Sequence, residues 1–382
     1  MSAAAGAPAG AGAFAEDAPA PVRAGEGLDA AALAAYLGAH VPGWSGVAPG
    51  DLAVEQFGGG FSNLTYLVRA GARELVLRRP PRGVARGPAH DVTREYRLLD
   101  ALYPVYGRVP RPLARCDDDP VLGAPFYVME RVRGVILRGR PGDRVPDAPT
   151  LARLAERFVA ELSALHALDW RAAGLDALGR PEGYVGRQVT GWTKRWHAAQ
   201  TGAVPDVAWA AEWLAARQPP EPADAAARAT LLHNDFKYDN FVLDPGALAA
   251  GEPAVRAVLD WEMATVGDPL MDLGTSLAYW VAPGDGPELR ALGLGLTAAP
   301  GSPSRAELVA AYGRATGRNI GGALWYYVYG VFKLAVVAQQ IYARYAAGHT
   351  RDPRFARLDQ VVAALGRQAR RAVALDRLDE LG

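Results

Sequence analysis

The sequence predicts an α+β chain of two lobes, a small antiparallel sheet followed by a larger helical lobe. Three observations carry this. Short apolar runs separated by glycine turns crowd the first third of the chain, at residues 52–57, 64–69 and 74–78, which is the texture of hairpin strands. From Pro149 onward apolar residues step by three and four, as in Leu151, Leu154, Phe158, Leu162 and Leu165, the period of amphipathic helices. Inside that helical region a polar stretch, His233-Asn234-Asp235-Phe236-Lys237-Tyr238-Asp239-Asn240, is framed by Thr230-Leu231-Leu232 and Phe241-Val242-Leu243.

Taken in order, residues 1–27 are Ala, Gly and Pro with few large apolar side chains. They are expected to be a disordered tail, because they have little surface to bury against their chain entropy. The first lobe is expected at residues 28–131 and the second at 132–382. Asp29 is placed to cap a helix carrying Leu33, Tyr36 and Leu37. Gly58-Gly59-Gly60-Phe61-Ser62-Asn63 joins the first two strands, and Gly71-Ala72-Arg73 turns into the third. Glycine lets backbone amides approach a phosphate closely, so Gly59, Gly60, Ser62 and Asn63 are candidate nucleotide contacts. Alternation along the third strand puts Arg78 and Arg79 on opposite faces, so only one of them can line a cleft.

Asp91 is placed to cap a helix through residue 103, with Tyr96, Leu99 and Leu102 on one face. Residues 125–130 read as a buried strand. His166 continues a helical apolar stripe and reads as a packed core histidine. Residues 184–200 hold Arg187, Gln188, Trp192, Lys194, Arg195 and Trp196 and no acid. Asp268 caps a helix with Pro269 in its first turn. Further helices are expected from about residues 305, 322 and 353, with Trp325, Tyr326, Phe332 and Leu334 building the helical lobe.

Composition narrows the function. Lys plus Arg equals Asp plus Glu at 41 each, so no net field favours a polyanion and nucleic acid is not the expected partner. The one cysteine, Cys116, excludes an intramolecular disulfide and fits a reducing cytosol. There is no basic, apolar leader at the start. The apolar run at 323–338 is interrupted by Lys333 and falls short of the roughly 20 residues that span a bilayer, so a cytoplasmic protein without membrane contact is expected. Nothing in the sequence sets an oligomeric state.

The polar stretch carries the chemistry. A carboxylate, an amide five residues on, and a second carboxylate in Leu259-Asp260-Trp261-Glu262 are the set that phosphoryl transfer from a nucleotide requires. Asp235 is the candidate base for an acceptor hydroxyl. Asn240 and Asp260 are candidate Mg²⁺ ligands, with Glu262 beside them for a second metal.

His233 to Asn240 resembles the His-x-Asp-x-x-x-x-Asn stretch of aminoglycoside phosphotransferases and choline-kinase-like enzymes, whose fold is that of the protein kinases. Within that family the chain is most similar to the kinase-like domains of acyl-CoA dehydrogenase family members ten and eleven and their free-standing bacterial relatives. The resemblance covers nearly everything after the first thirty residues. It implies ATP as donor, with GTP not excluded, and Mg²⁺ as the metal. It places Lys237 as a second catalytic residue, Arg78 as the cation usually supplied by lysine, and Glu95 as its helix partner. It places Met129, Glu130 and Val132 in a hinge against the adenine, and Asp272 as a structural brace of the catalytic loop. It also implies that Arg187, Gln188 and Trp192 wall the acceptor pocket. The acceptor it suggests is anionic, of hydroxyacyl-CoA type. An aminoglycoside or other antibiotic is the alternative. A nucleotide-binding pseudokinase or interaction subunit is the alternative of another class, against which the intact Asp235, Asn240 and Asp260 speak.

Overall fold

The computed structural model describes residues 14–58, 63–81, 91–139, 143–290, 295–350 and 352–381. A six-stranded antiparallel sheet in the order β1-β2-β3-β4-β6-β5 forms the first lobe. Its strands are β1 (Ala20–Pro21), β2 (Leu52–Gln56), β3 (Leu64–Ala70), β4 (Arg73–Arg79), β5 (Pro112–Cys116) and β6 (Phe126–Glu130). Strand periodicity sorts the side chains into two cores. Leu75, Leu77, Phe126 and Val128 pack with Leu33, Tyr36 and Leu37 of helix α1 (Ala30–His40). The intervening Val76, Tyr127 and Met129 pack with Leu98, Leu99 and Leu102 of α2 (Val92–Tyr106). Asp29 and Asp91 cap these helices, accepting from Ala31 N (2.9 Å) and Arg94 N (2.9 Å), which satisfies amides that a helix start leaves open.

The expected tail needs correcting for residues 14–27. Ala20 and Pro21 pair with Glu55 and Gln56 at the edge of the sheet, Phe14 is buried, and the Arg144 guanidinium lies 4.1 Å from its ring centroid. Asp17 donates its N–H to Gly134 O (3.1 Å) and pairs with Arg138 (2.6 Å). A count of apolar residues misses this order, because it comes from backbone pairing and ion pairs made to the rest of the chain. The first lobe therefore begins before residue 28.

The second lobe is helical: α3 (Ala148–His166), α4 (Tyr184–Ala199), α5 (Pro205–Ala216), α6 (Pro269–Tyr279), α7 (Arg305–Thr316), α8 (Ala323–Ala346) and α9 (Leu358–Leu375), among shorter turns. Two small ribbons, β7 (Thr230–Leu232) with β10 (Thr265–Gly267) and β8 (Phe241–Leu243) with β9 (Val255–Val258), frame residues 233–240. The chain enters this lobe past Gly134. A Cβ there would sit 2.6 Å from Val242 Cγ1, so glycine lets the crossing segment lie against β8, where Val135 bridges Leu243.

Helices α6 and α8 cross backbone to backbone. A methyl on Gly330 would overlap the Gly274 carbonyl oxygen and stand 2.6 Å from its carbon and 3.0 Å from Thr275 Cα. Backbone cannot rotate aside as a side chain can. The crossing brings Asp272 of α6 and Lys333 of α8 to the same place beside residues 233–235.

Two outcomes follow from the packing. Gly330→Ala should lower unfolding free energy by about 2–4 kcal/mol, the scale of overpacking against atoms that cannot yield; urea denaturation measures it, and a neutral result would mean the helices slide apart freely. Deleting residues 1–26 should lower the melting temperature by about 1–3 °C, the scale expected for losing one to two kcal/mol in a chain of this size. A calorimetric scan decides, and an unchanged transition would show that the edge pairing contributes nothing.

Candidate active site

The loop between β7 and β8 is held from beneath. Asp272 accepts the backbone N–H of His233 (2.7 Å) on one oxygen and of Asn234 (2.7 Å) on the other. His166 Nε2 lies 3.2 Å from the same carboxylate and its Nδ1 lies 2.7 Å from the Tyr312 hydroxyl. Burial alone would raise the Asp272 carboxyl, but His166 and the bonded amides hold it below the usual carboxylate range, so the brace is ionised. Asn234 stands in left-handed backbone, φ 65°, a strained position for a residue other than glycine.

His233 joins the two halves of the motif. Its Nε2 donates to Leu259 O (2.9 Å), immediately before Asp260, and its Nδ1 accepts from Asp235 N (3.2 Å). Burial lowers its pKa, so the ring is neutral and this tautomer satisfies both nitrogens. It packs at a tilt against Trp261, centroids 4.6 Å apart and ring planes at 56° to each other. Asp260 also has positive φ, 66°, and its carboxylate faces Arg78 across the cleft.

The charged groups then meet in one cleft of about 1290 Å³, lined by Asn63, Arg78, Asp235, Asn240, Asp260 and Glu262 among others. Asp235 lies 2.8 Å from Lys237 Nζ and accepts from Asn240 Nδ2 (3.1 Å). Burial would raise its carboxyl; the Lys237 ammonium outweighs that and holds it low. Asn240 Nδ2 also bonds the Asp235 carbonyl (2.8 Å), so the amide oxygen is the end left for a ligand. On the roof, Arg78 Nη1 donates to Glu95 (2.7 Å), and its Nη2 reaches Asp260 (3.2 Å) and lies 3.5 Å from Glu262. Glu262 also accepts from Asn63 Nδ2 (3.0 Å). Burial pushes the Glu95 carboxyl up, opposed by Arg78.

Arg79 points the other way, to Leu122 O (2.8 Å) and the Tyr66 ring, so Arg78 is the strand cation in the cleft. Met129, Glu130 and Val132 line the cleft where the lobes join, and Glu130 N is already bonded to Arg111 O (2.8 Å). Gly59, Gly60 and Ser62 lie outside the described residues.

The acceptor wall requires a correction. Gln188 and Trp192 line the cleft, but Arg187 does not; its guanidinium folds back onto the carbonyls of Arg180 and Glu182. Lys194 is exposed on the outer side and Trp196 is fully buried in the core. Helical period explains this: residues 188, 192 and 195 share the inner face, and 187 and 194 do not.

Sequence reasoning missed two groups. Arg94, on α2, donates to Glu262 O (3.2 Å) and to Ala264 O, pinning the segment after Asp260. Lys333 is buried and donates to Asn234 O (2.7 Å). Its signal was present, because a lysine inside an apolar helical run needs a partner.

A curled antiparallel sheet over a helical lobe, with an arginine–glutamate pair above an Asp–Asn loop, defines a kinase-like two-lobed fold. It is similar to a candidate aminoglycoside phosphotransferase from Ralstonia eutropha, at 30% identity and TM-score 0.70, covering 89% of this chain and 97% of that one. Choline kinase from Cryptosporidium parvum shares the fold at 13% identity and TM-score 0.54, covering 88% of this chain and 99% of that one. The chain belongs to the phosphotransferase enzyme family, whose model matches residues 53–317. It is 35% identical to acyl-CoA dehydrogenase family member 11 of Gallus gallus over 86% of this chain and 41% of that protein. The human member 11 gives 33% identity, over 89% of this chain and 43% of that protein. The chain thus spans about two fifths of these relatives' length.

Asp272→Ala should destabilise the protein by about 3–5 kcal/mol at neutral pH, as for a broken buried charge network, because two buried amides lose their acceptor. The depressed carboxyl makes its contribution fully present above the ordinary carboxylate range and lost as pH falls through its lower folded value. Urea titrations at pH 7 and at pH 3 test this: the wild-type advantage over the variant should shrink at the lower pH.

Proposed function

We propose that the protein transfers the γ-phosphoryl group of ATP to an alcohol hydroxyl of a small molecule. The carrying observation is that Asp235, Asn240 and Asp260 line one cleft, with Asp235 ionised and joined to the Asp260 segment through His233. Asp235 takes the acceptor's proton as the hydroxyl oxygen attacks phosphorus, and the nucleoside diphosphate leaves. Arg78, with Glu95 fixing it, contacts phosphate oxygens, and Lys237 offsets charge on the phosphoryl group. Asn63, and with it Gly59, Gly60 and Ser62, lies on the nucleotide side; Met129, Glu130 and Val132 receive the adenine. GTP remains a second candidate donor.

The donor set fits Mg²⁺. No cluster of three His, Cys, Asp or Glu that could hold a metal occurs among the described residues, and Mg²⁺ does not need one. It binds through one or two carboxylates together with phosphates and water. Asp260 and the Asn240 amide oxygen would hold it, with Glu262 adjacent. When bound, it supplies positive charge against the phosphates.

The proposed acceptor is a hydroxyacyl-CoA. The acceptor wall supports it: α4 and α8 line the cleft with Gln188, Trp192, Arg195, Lys333, Leu334 and Arg344, and with no acid among the described residues. Such a wall opposes a polycationic aminoglycoside. Similarity to proteins named for acyl-CoA substrates points the same way. The intact catalytic loop disfavours a pseudokinase role.

Asp235→Asn keeps the shape but removes the proton acceptor. It should lower kcat by about 10²–10⁴ and leave Mg·ATP affinity within a few-fold. Asp260→Asn should weaken Mg·ATP binding as well as turnover, because the cation loses a carboxylate oxygen. Calorimetry beside steady-state rates separates the two roles. Lost nucleotide binding in the first variant with intact binding in the second would reverse them.

A further inference from the structure

Lys333 enters the cleft from α8. It is buried, and one of its three N–H groups is spent on Asn234 O at 2.7 Å. Its Nζ lies 5.7 Å from the centroid of the Trp192 ring, whose face also receives the Arg195 guanidinium at 4.5 Å. Lys333, Trp192 and Arg195 all line the same cleft as Asp235. Asn234 directly precedes Asp235, so the anchored ammonium stands next to the base by chain connectivity. An ammonium in a buried site with donors left over is costly unless an oxygen meets them.

We propose that Lys333 is an acceptor-binding, specificity-determining residue. Its remaining N–H donors bind an oxygen of the acceptor lying near the hydroxyl that Asp235 deprotonates. In a hydroxyacyl-CoA that oxygen is the thioester carbonyl. This rests on the acceptor class proposed above and adds the residue that reads it. An amine at the same position would meet the Lys333 and Arg195 cations and be rejected. Four charged groups bear on Lys333: Asp235 and Lys237 from the catalytic loop, Asp272 from α6 and Arg195 from α4. Burial, only partly offset by the two carboxylates, brings its pKa down to about 8. The donor is therefore charged at neutral pH and titrates just above it.

The test compares 3- and 4-hydroxypentanoyl-CoA, each beside the thioether analogue that keeps hydroxyl and CoA but lacks the carbonyl. The wild-type protein should prefer the better thioester over its thioether by about tenfold or more in kcat/KM, the scale of one hydrogen bond from a charged donor. Lys333→Met, checked for folding by a cooperative melt, should lose that preference, and Lys333→Arg should keep some of it. Should Lys333→Met not fold, the wild-type pair still decides: its preference should fall as pH rises through about 8, because the charged donor is lost. Equal wild-type turnover of thioester and thioether, or an unchanged preference in folded Lys333→Met, overturns the assignment and leaves the proposed acceptor class standing. If the wild-type protein phosphorylates none of the four compounds but does phosphorylate another acceptor, the acceptor class fails, and this assignment fails with it.

Discussion

The site depends on one carboxylate that is fully buried beneath it. Asp272 accepts two consecutive backbone amides, those of His233 and Asn234, and that pairing is what the left-handed turn at Asn234 needs to persist. Within the eight-residue loop, Phe236 and Tyr238 are anchored in the hydrophobic core against Phe158, and the polar residues are held by hydrogen bonds. Its shape is imposed by Asp272 beneath, by His233 bridging to Leu259, and by the Asn240 amide bonded back to the Asp235 carbonyl. The bonds made by Asp272 and by the Asn240 amide are buried, where a lost partner is expensive, so the loop has few alternatives. The cleft above it can then hold several charges together, because Asp235, Asp260 and Glu262 each already face a fixed cation or amide.

The second consequence of this arrangement is a division of labour between the lobes. Arg78, Glu95 and Asn63 come from the sheet and α2, whereas Asp235, Asn240 and Asp260 come from the loop and ribbon of the helical lobe. Arg78 spans the gap to Asp260 and Glu262. The Gly274–Gly330 crossing puts Asp272 and Lys333 on one packed pair of helices, so these two residues are fixed with respect to each other.

Much of this was legible in the sequence. The strand and helix periods, the Asp29 and Asp91 caps and the spacing from Asp235 to Asn240 to Asp260 are local patterns, and local patterns survive folding. The Arg78–Arg79 choice was framed by strand alternation but could be decided only once one face of β4 met α2. What stayed hidden was of two kinds. Arg187 was misplaced because the register of α4 against the cleft depends on packing against other helices. The order of residues 14–27 was missed because it is borrowed: Phe14 and Asp17 find their partners in residues 134–144, which no window along the chain brings together.

That borrowed order has a mechanical meaning. Ala20 and Pro21 are stitched to the sheet edge, whereas Asp17, three residues earlier, is tied to Gly134 and Arg138 beyond the point where the chain leaves the sheet. The segment runs alongside the covalent link between the lobes as a second, noncovalent strap. Any rotation that widens the cleft must stretch this short leash or break its bonds. Widening the cleft would therefore work against a tether of fixed reach, set by the few residues between Asp17 and Ala20.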